Sequence, residues 1–265
     1  MTDQSPLEPT LLVDVARAQR AEEFHLVYQP EIDLHTGGFA GVEALIRWHH
    51  PIRGLLSPAE FIPGLEESGG ILNVGRWALE TACFQGAEWF AKGYRFPVAV
   101  NISPQQLTDS SFVDDVARAL RASRLDPTHL TLEFSFASLD EESALAHLRE
   151  IHGSGVRLAI DDFAPGRPDF ATLATLPIDI VKLDRDYVAN NSAGDGDSSI
   201  HQLVHDAREL NLRVIAGGVE DATQRDQLRD EEVDIGQGFH FARPYEVEEI
   251  DRFLEDFALF SGRPL

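Results

Sequence analysis

Glu43, Asn101, Glu133, the adjacent Asp161 and Asp162, Lys182 with Asp184, and Gln237 stand at the ends of short apolar runs. The runs are Gly-Val-Glu-Ala-Leu, Val-Ala-Val-Asn, Leu-Thr-Leu-Glu, Leu-Ala-Ile-Asp-Asp, Ile-Val-Lys-Leu-Asp and Ile-Gly-Gln-Gly. Carboxylate and amide oxygens gathered in this way suit a hard divalent cation such as Mg²⁺ or Mn²⁺. Adjacent aspartates let two ions share a phosphoryl group and activate a water. A lysine beside them stabilises negative charge or holds that water, and Arg47 offers a clamp for a phosphate. Any one of these residues has an ordinary alternative, since a strand-end acid often caps the next helix and a lone Arg often sits in an ion pair. Their recurrence on six strands is harder to explain by packing, because apolar layers fill barrel interiors.

For these groups to converge, the runs must be strands of one sheet. Strands are expected at Phe24–Gln29, Gly41–Arg47, Val98–Asn101, Leu130–Phe134, Val156–Ile160, Ile180–Lys182, Val214–Ala216 and Ile235–His240. Helical periodicity separates most of them, at Leu72–Lys92, Ser111–Ser123, Glu141–Ser154, Pro168–Leu176, Ser198–Leu210 and Asp221–Arg229. About eight strands alternating with helices predict an α/β fold of the TIM-like (β/α)8 barrel type. The first two strands differ: only the turn-rich Asp33–Gly38 separates them, which is too short for a crossover helix and right for an antiparallel hairpin. One strand is therefore expected to be reversed. Residues 1–23 read as a lead-in segment with a short amphipathic helix over Leu11–Glu23, and 24–265 as the barrel domain. Asn190–Ser199, rich in Gly, Asp and Ser, reads as a mobile loop, and the acidic stretch Glu246–Glu255 as a solvated helix face.

The formal net charge of -23, from 45 acidic against 22 basic residues, opposes general nucleic-acid binding and docking on anionic lipid. A phosphate-bearing partner then needs a local site. Met1–Thr10 carries Asp3 and Glu8 and no cationic, apolar leader pattern, and no run reaches the roughly 18 apolar residues of a membrane span, so a cytoplasmic location is expected. Cys83, the single cysteine, lies in an apolar helical stretch and reads as a packed thiol. His49 and His50 are chain neighbours whose side chains point apart, so a surface role is expected in place of a metal pair.

Taken in order, Tyr28-Gln29-Pro30, Glu43-Ala44-Leu45, Phe61-Ile62-Pro63, Asn101-Ile102-Ser103, Gln105-Gln106-Leu107, Asp161-Asp162-Phe163, Lys182-Leu183-Asp184-Arg185 and Gln237-Gly238-Phe239 form a set. It resembles the EAL family of bacterial cyclic di-GMP phosphodiesterases over about Phe24 to Phe253. The resemblance implies an EAL-type barrel with one antiparallel strand that cleaves cyclic di-GMP to a linear dinucleotide with Mg²⁺ or Mn²⁺. It also implies site roles. Glu43, Asn101, Glu133 and Asp161 match ligands of one metal, with Asp161 and Asp162 facing a second; Lys182 matches the lysine that positions the attacking water; Gln29, Arg47, Pro63, Asp184 and Gln237 match residues around the nucleotide. Glu43, Asp162 and Lys182 thus form the catalytic set. A homodimer is implied as well.

The chain departs from that pattern at three points. The family's Ala-Glu-Gly-Val-Glu is here Ala216-Gly217-Gly218-Val219-Glu220, so a carboxylate expected near the second metal is missing, and Glu220, three residues on, is no substitute. The loop after the paired aspartates reads Phe163-Ala-Pro-Gly-Arg-Pro-Asp169, with two prolines that restrict its backbone, and the fourth strand ends in Glu133-Phe-Ser-Phe136 in place of a second acid. Losing a general base costs roughly 10² to 10⁴ in rate and less in affinity, which favours a cyclic di-GMP receptor with reduced hydrolysis that signals to a protein partner. An active metal-dependent phosphodiesterase is the alternative, and a protein-interaction scaffold that binds no nucleotide is the third reading.

Overall fold

Asp33 builds the expected hairpin turn, its Oδ1 accepting from His35 N at 3.1 Å, Thr36 N at 2.7 Å and Thr36 Oγ1 at 2.9 Å. Gly37 takes the left-handed conformation at φ 66° that closes the turn. The computed structural model describes residues 18, 21, 23–139, 142–164, 170–191 and 199–261. Most of the lead-in helix expected at Leu11–Glu23, most of the Asn190–Ser199 segment and 165–169 of the altered loop lie outside the described residues.

The hairpin joins β1 (Phe24–Asp33) to β2 (Phe39–His50), paired antiparallel from Phe24 with Trp48 to Ile32 with Phe39. The remaining strands are β3 (Gly54–Leu56), β4 (Val98–Asn101), β5 (Leu130–Ser135), β6 (Arg157–Phe163), β7 (Ile180–Leu183), β8 (Arg213–Ala216) and β9 (Ile235–Gln237). Hydrogen bonding runs β1-β9-β8-β7-β6-β5-β4-β2, and the β1–β2 pairing closes the ring. Every pairing in the ring is parallel except those of β1 with β2 and with β9. The reversed strand is therefore β1, and the ring is a TIM-like barrel of eight strands with one antiparallel member. β3 only extends the edge of β2.

Between β3 and β4 lie α1 (Pro58–Ser68) and α2 (Ile71–Ala91); between β4 and β5, α3 (Pro104–Thr108) and α4 (Phe112–Ser123). Then come α5 (Glu142–Gly153), α6 (Phe170–Leu173), α7 (Arg185–Asn191), α8 (Ser199–Glu209), α9 (Ala222–Asp230) and α10 (Val247–Ser261). α1 was not expected, although its start is written in the chain: Ser57 and Glu60 form a capping box around Pro58 at the first helical position. Pro63, inside the helix, reads as a breaker and conceals it.

Two apolar layers hold the strands. Outward-facing residues such as Val42, Val98, Leu132 and Val181 pack against the helices, burying Trp89 as well, whose Nε1 donates to Asp251 Oδ1 at 2.8 Å. Phe24, Trp48 and Phe61 pack where α1 covers the β1–β2 edge. Inside the ring, Ala159, Ile180, Ile215 and Ile235 form an apolar floor. Each lies two residues before a position of interest: Asp161, Lys182, Gly217 and Gln237. Strand alternation therefore places Asp161, Lys182 and Gln237 on the inner face, one layer above the floor, while Gly217 lies just past the end of β8. No helix among the described residues is long and apolar enough to cross a membrane.

Candidate functional site

Above the floor, side chains from five strands meet in one hydrogen-bonded group. Glu43 of β2 is its centre, its Oε1 accepting from Asn101 Nδ2 at 2.6 Å and its Oε2 from Lys182 Nζ at 3.1 Å and Gln237 Nε2 at 2.8 Å. Lys182 also donates to Glu133 Oε2 at 2.6 Å, which ties β5 to β7. Glu43, Glu133, Lys182 and Gln237 are all buried, whereas Asn101 is exposed at the rim.

Burying these charges has readable consequences. Burial pushes the Glu43 carboxyl upward, but the Lys182 ammonium and the hydrogen bonds from Asn101 and Gln237 win and hold it below its ordinary range. Burial likewise opposes the charge on Lys182, and the carboxylates of Glu133 and Glu43, then Asp161 and Glu31, more than offset it, so its pKa lies well above normal. Glu133 goes the other way from Glu43: burial raises it well above normal against the pull of Lys182, with Glu43 and Asp161 adding to the rise. One ammonium thus serves several carboxyl groups, and a further cation is what the arrangement lacks.

Glu133 Oε1 makes that need specific, being buried without a hydrogen-bond partner among the described residues. A buried acceptor left unpaired costs about 1–3 kcal/mol, and a hard divalent ion bonded to oxygen would remove that cost. With Glu43, Asn101 and Asp161 beside it, the donor set fits Mg²⁺ or Mn²⁺.

The paired aspartates divide their roles. The β6–β7 register shifts between Ile160 and Phe163, and Asp162 takes φ 53°, so the chain bulges where the sequence shows only two adjacent acids. Asp161 Oδ1 accepts from Asp162 N at 2.9 Å, and Asp162 is exposed, its pKa raised by burial of its carboxyl together with Asp161 and Asp184.

Gln29, Arg47 and Gln237 line a cavity of about 270 Å³ at the barrel mouth, with Arg185, Phe239 and Pro244. Gln29 Nε2 donates to Ala242 O at 3.2 Å, and Arg47 donates to Ile46 O at 2.8 Å. Asp184 caps α7 by accepting from Tyr187 N at 2.8 Å. Pro63 is not brought to the group: it is exposed on α1 and lines neither this cavity nor the 390 Å³ apolar one between β2, α1 and α2. His50 departs from the surface role expected for it. It is buried, and its Nδ1 accepts from Ile52 N and Arg53 N at 3.2 and 3.1 Å, while His49 is exposed.

Gly217 stands two residues beyond floor residue Ile215, immediately after the end of β8. A Cβ there would meet Leu183 O at 3.4 Å, ordinary contact, so space does not demand glycine. Glu220 is exposed and pairs with Arg185. Glu31 was missed in the sequence. It follows Gln29 by two on the inner face of β1, is buried with Oε1 unpaired among the described residues, and is pushed by burial up to about 7. The alternation of Gln29 and Glu31 was the available signal, lost because the strand was expected to end at Gln29.

A family model described as EAL domain matches residues 12–244. The chain is 36% identical over 245 residues to the bifunctional diguanylate cyclase/cyclic di-GMP phosphodiesterase MucR of Pseudomonas aeruginosa, covering 91% of this chain and 36% of that protein. It is also 36% identical over 252 residues to the cyclic di-GMP phosphodiesterase PA2567 of the same organism, covering 92% of this chain and 42% of that protein. It therefore spans less than half the length of these curated relatives. The solved structure of the MucR phosphodiesterase in complex with c-di-GMP superposes with a TM-score of 0.85 at 36% identity, covering 91% of this chain and 99% of that one.

Proposed function

The chain belongs to the EAL domain family, and from that premise we propose that it binds cyclic di-GMP with Mg²⁺ or Mn²⁺ while its hydrolysis to the linear dinucleotide is impaired. The observation that carries this reading is the contrast between an intact Glu43 group and Gly217. The first keeps Asn101, Lys182, Gln237 and the unpaired Glu133 Oε1 around Glu43. The second leaves the position just after β8 without a side chain.

In this reading Glu43, Asn101, Glu133 and Asp161 hold one ion, and Asp161 with Asp162 face a second whose ligand set is short by the group absent at Gly217. Such ions, when bound, neutralise phosphoryl charge and lower the pKa of a coordinated water. The chain's own residues supply the rest. Arg47 clamps a phosphate from the cavity it shares with Gln29 and Gln237. Lys182, kept charged by Glu133 and Glu43, holds the attacking water and stabilises negative charge. Asp162 helps Lys182 hold that water, and Asp184 and Pro63 belong to the surroundings of the nucleotide. The proposal takes 24–265 as the barrel domain behind a lead-in of 1–23, in the cytoplasm, as a homodimer whose outer helices pass the bound state to a protein partner. The retained Lys182 favours a second reading, an active phosphodiesterase.

Single-turnover reactions in Mn²⁺, with protein in excess over cyclic di-GMP, compare wild type with Gly217→Glu. A Cβ at position 217 meets only ordinary contact, and a gain of roughly 10² to 10⁴ in rate is expected. Wild-type turnover as fast as the variant's would favour the active enzyme. Absence of binding in both would leave the scaffold.

A further inference from the structure

His25, His49 and Glu246 meet at the rim of the barrel, apart from the Glu43 group. His25 pairs with Arg47 across the β1–β2 ladder, and His49 follows Arg47 by two, so alternation puts both imidazoles on one face. Tyr245 bridges Tyr28 through its backbone and returns the chain to that edge, which positions Glu246 at the start of α10. One ligand atom from each residue lies within 4.8 Å of the others. Glu246 Oε1 is 3.2 Å from His25 Nε2, and the two rings stack with centroids 4.1 Å apart.

Two features separate this group from ordinary surface histidines. Both ring nitrogens of His25 are buried, and neither makes a hydrogen bond among the described residues, although Nε2 faces the Glu246 carboxylate. The His49 ring stacks on His25 while Glu246 faces its Nε2, so the three ligand atoms already converge. Neutral imidazole is the form that ligates metal.

We propose that His25, His49 and Glu246 form a second divalent-metal site, selective for a zinc-class transition metal over Mg²⁺. Two imidazoles and one carboxylate are a three-ligand set with an open fourth position, as zinc accepts. Mg²⁺ is served by the oxygen-rich Glu43 group instead. Zinc–ligand bonds of about 2.0–2.1 Å put neighbouring ligand atoms roughly 3.3 Å apart, so the group must contract and the ring stack must open. His49 and Glu246 are exposed and can turn, while His25 stays fixed in its strand. Arg47 is the opposing charge, and Glu248 and Glu249, which crowd Glu246 electrostatically, offset it. A bound ion would tie β1, β2 and the start of α10 together.

The test is a Co²⁺ titration of the tag-free, chelator-stripped chain in excess Mg²⁺, without nucleotide, followed by visible ligand-field absorption and equilibrium dialysis. Wild type is expected to take one equivalent with the strong absorption of a four- or five-coordinate site, displaced by Zn²⁺. His49→Asn and Glu246→Gln, at exposed positions and checked for folding by circular dichroism, are each expected to weaken that binding at least about 10-fold. Absence of this absorption in wild type, or the same affinity in wild type and both variants, overturns the proposal.

Discussion

Replacing Glu31 by Gln should stabilise the protein at alkaline pH and by a smaller margin under mild acid. Glu31 is 4% exposed above the apolar floor, and its Oε2 sits so close to Gly41 that a Cβ there would lie 2.7 Å away. Burial raises its pKa from 4.5 to about 7, with Lys182 pulling down and Glu43 pushing up. The folded state therefore keeps a proton that the unfolded state has released, and stability falls as pH rises through that window. At about 1.4 kcal/mol per pH unit the full span amounts to roughly 3 kcal/mol, and about 2 kcal/mol of it lies between pH 5.5 and 7. Glutamine keeps the shape and cannot ionise. Urea unfolding in chelator, at pH 5.5 and pH 8, should show the variant's advantage over wild type growing by about 2 kcal/mol. An equal difference at the two pH values would refute the burial argument.

Lys182→Met should cost about 3–5 kcal/mol in chelator, because it leaves the Glu43 and Glu133 carboxylates buried without their shared cation. Mn²⁺ should restore part of that loss in the same urea unfolding assay. Asp184→Ala removes the acceptor of Tyr187 N at the start of α7 and should lower stability by about 1 kcal/mol, read as a lower thermal midpoint.

Much of the barrel was legible because strand and helix periods differ and because a hairpin and a crossover need different lengths of chain. Asp33–Gly38 announced the reversed pairing, and the structure assigns the reversal to β1. The inward positions Glu43, Asn101, Glu133, Lys182 and Gln237 were legible as polar ends of apolar runs, since an apolar interior gives such residues no other reason to recur. What escaped depends on geometry that composition does not carry. The bulge after Ile160 separates Asp161 from Asp162, Asp184 is occupied as a helix cap, and Pro63 sits exposed on a helix whose proline hid it. Glu31 escaped because its strand runs to Asp33, four residues beyond its expected end.

The most direct test of cyclic di-GMP binding with impaired hydrolysis is calorimetry of that nucleotide in Mn²⁺ and in Ca²⁺, on wild type and Arg47→Ala, with product chromatography on the same samples. The account predicts metal-dependent binding that Arg47→Ala weakens, and little or no linear dinucleotide in Mn²⁺. No binding in either metal, or rapid conversion to the linear product in Mn²⁺, would contradict it.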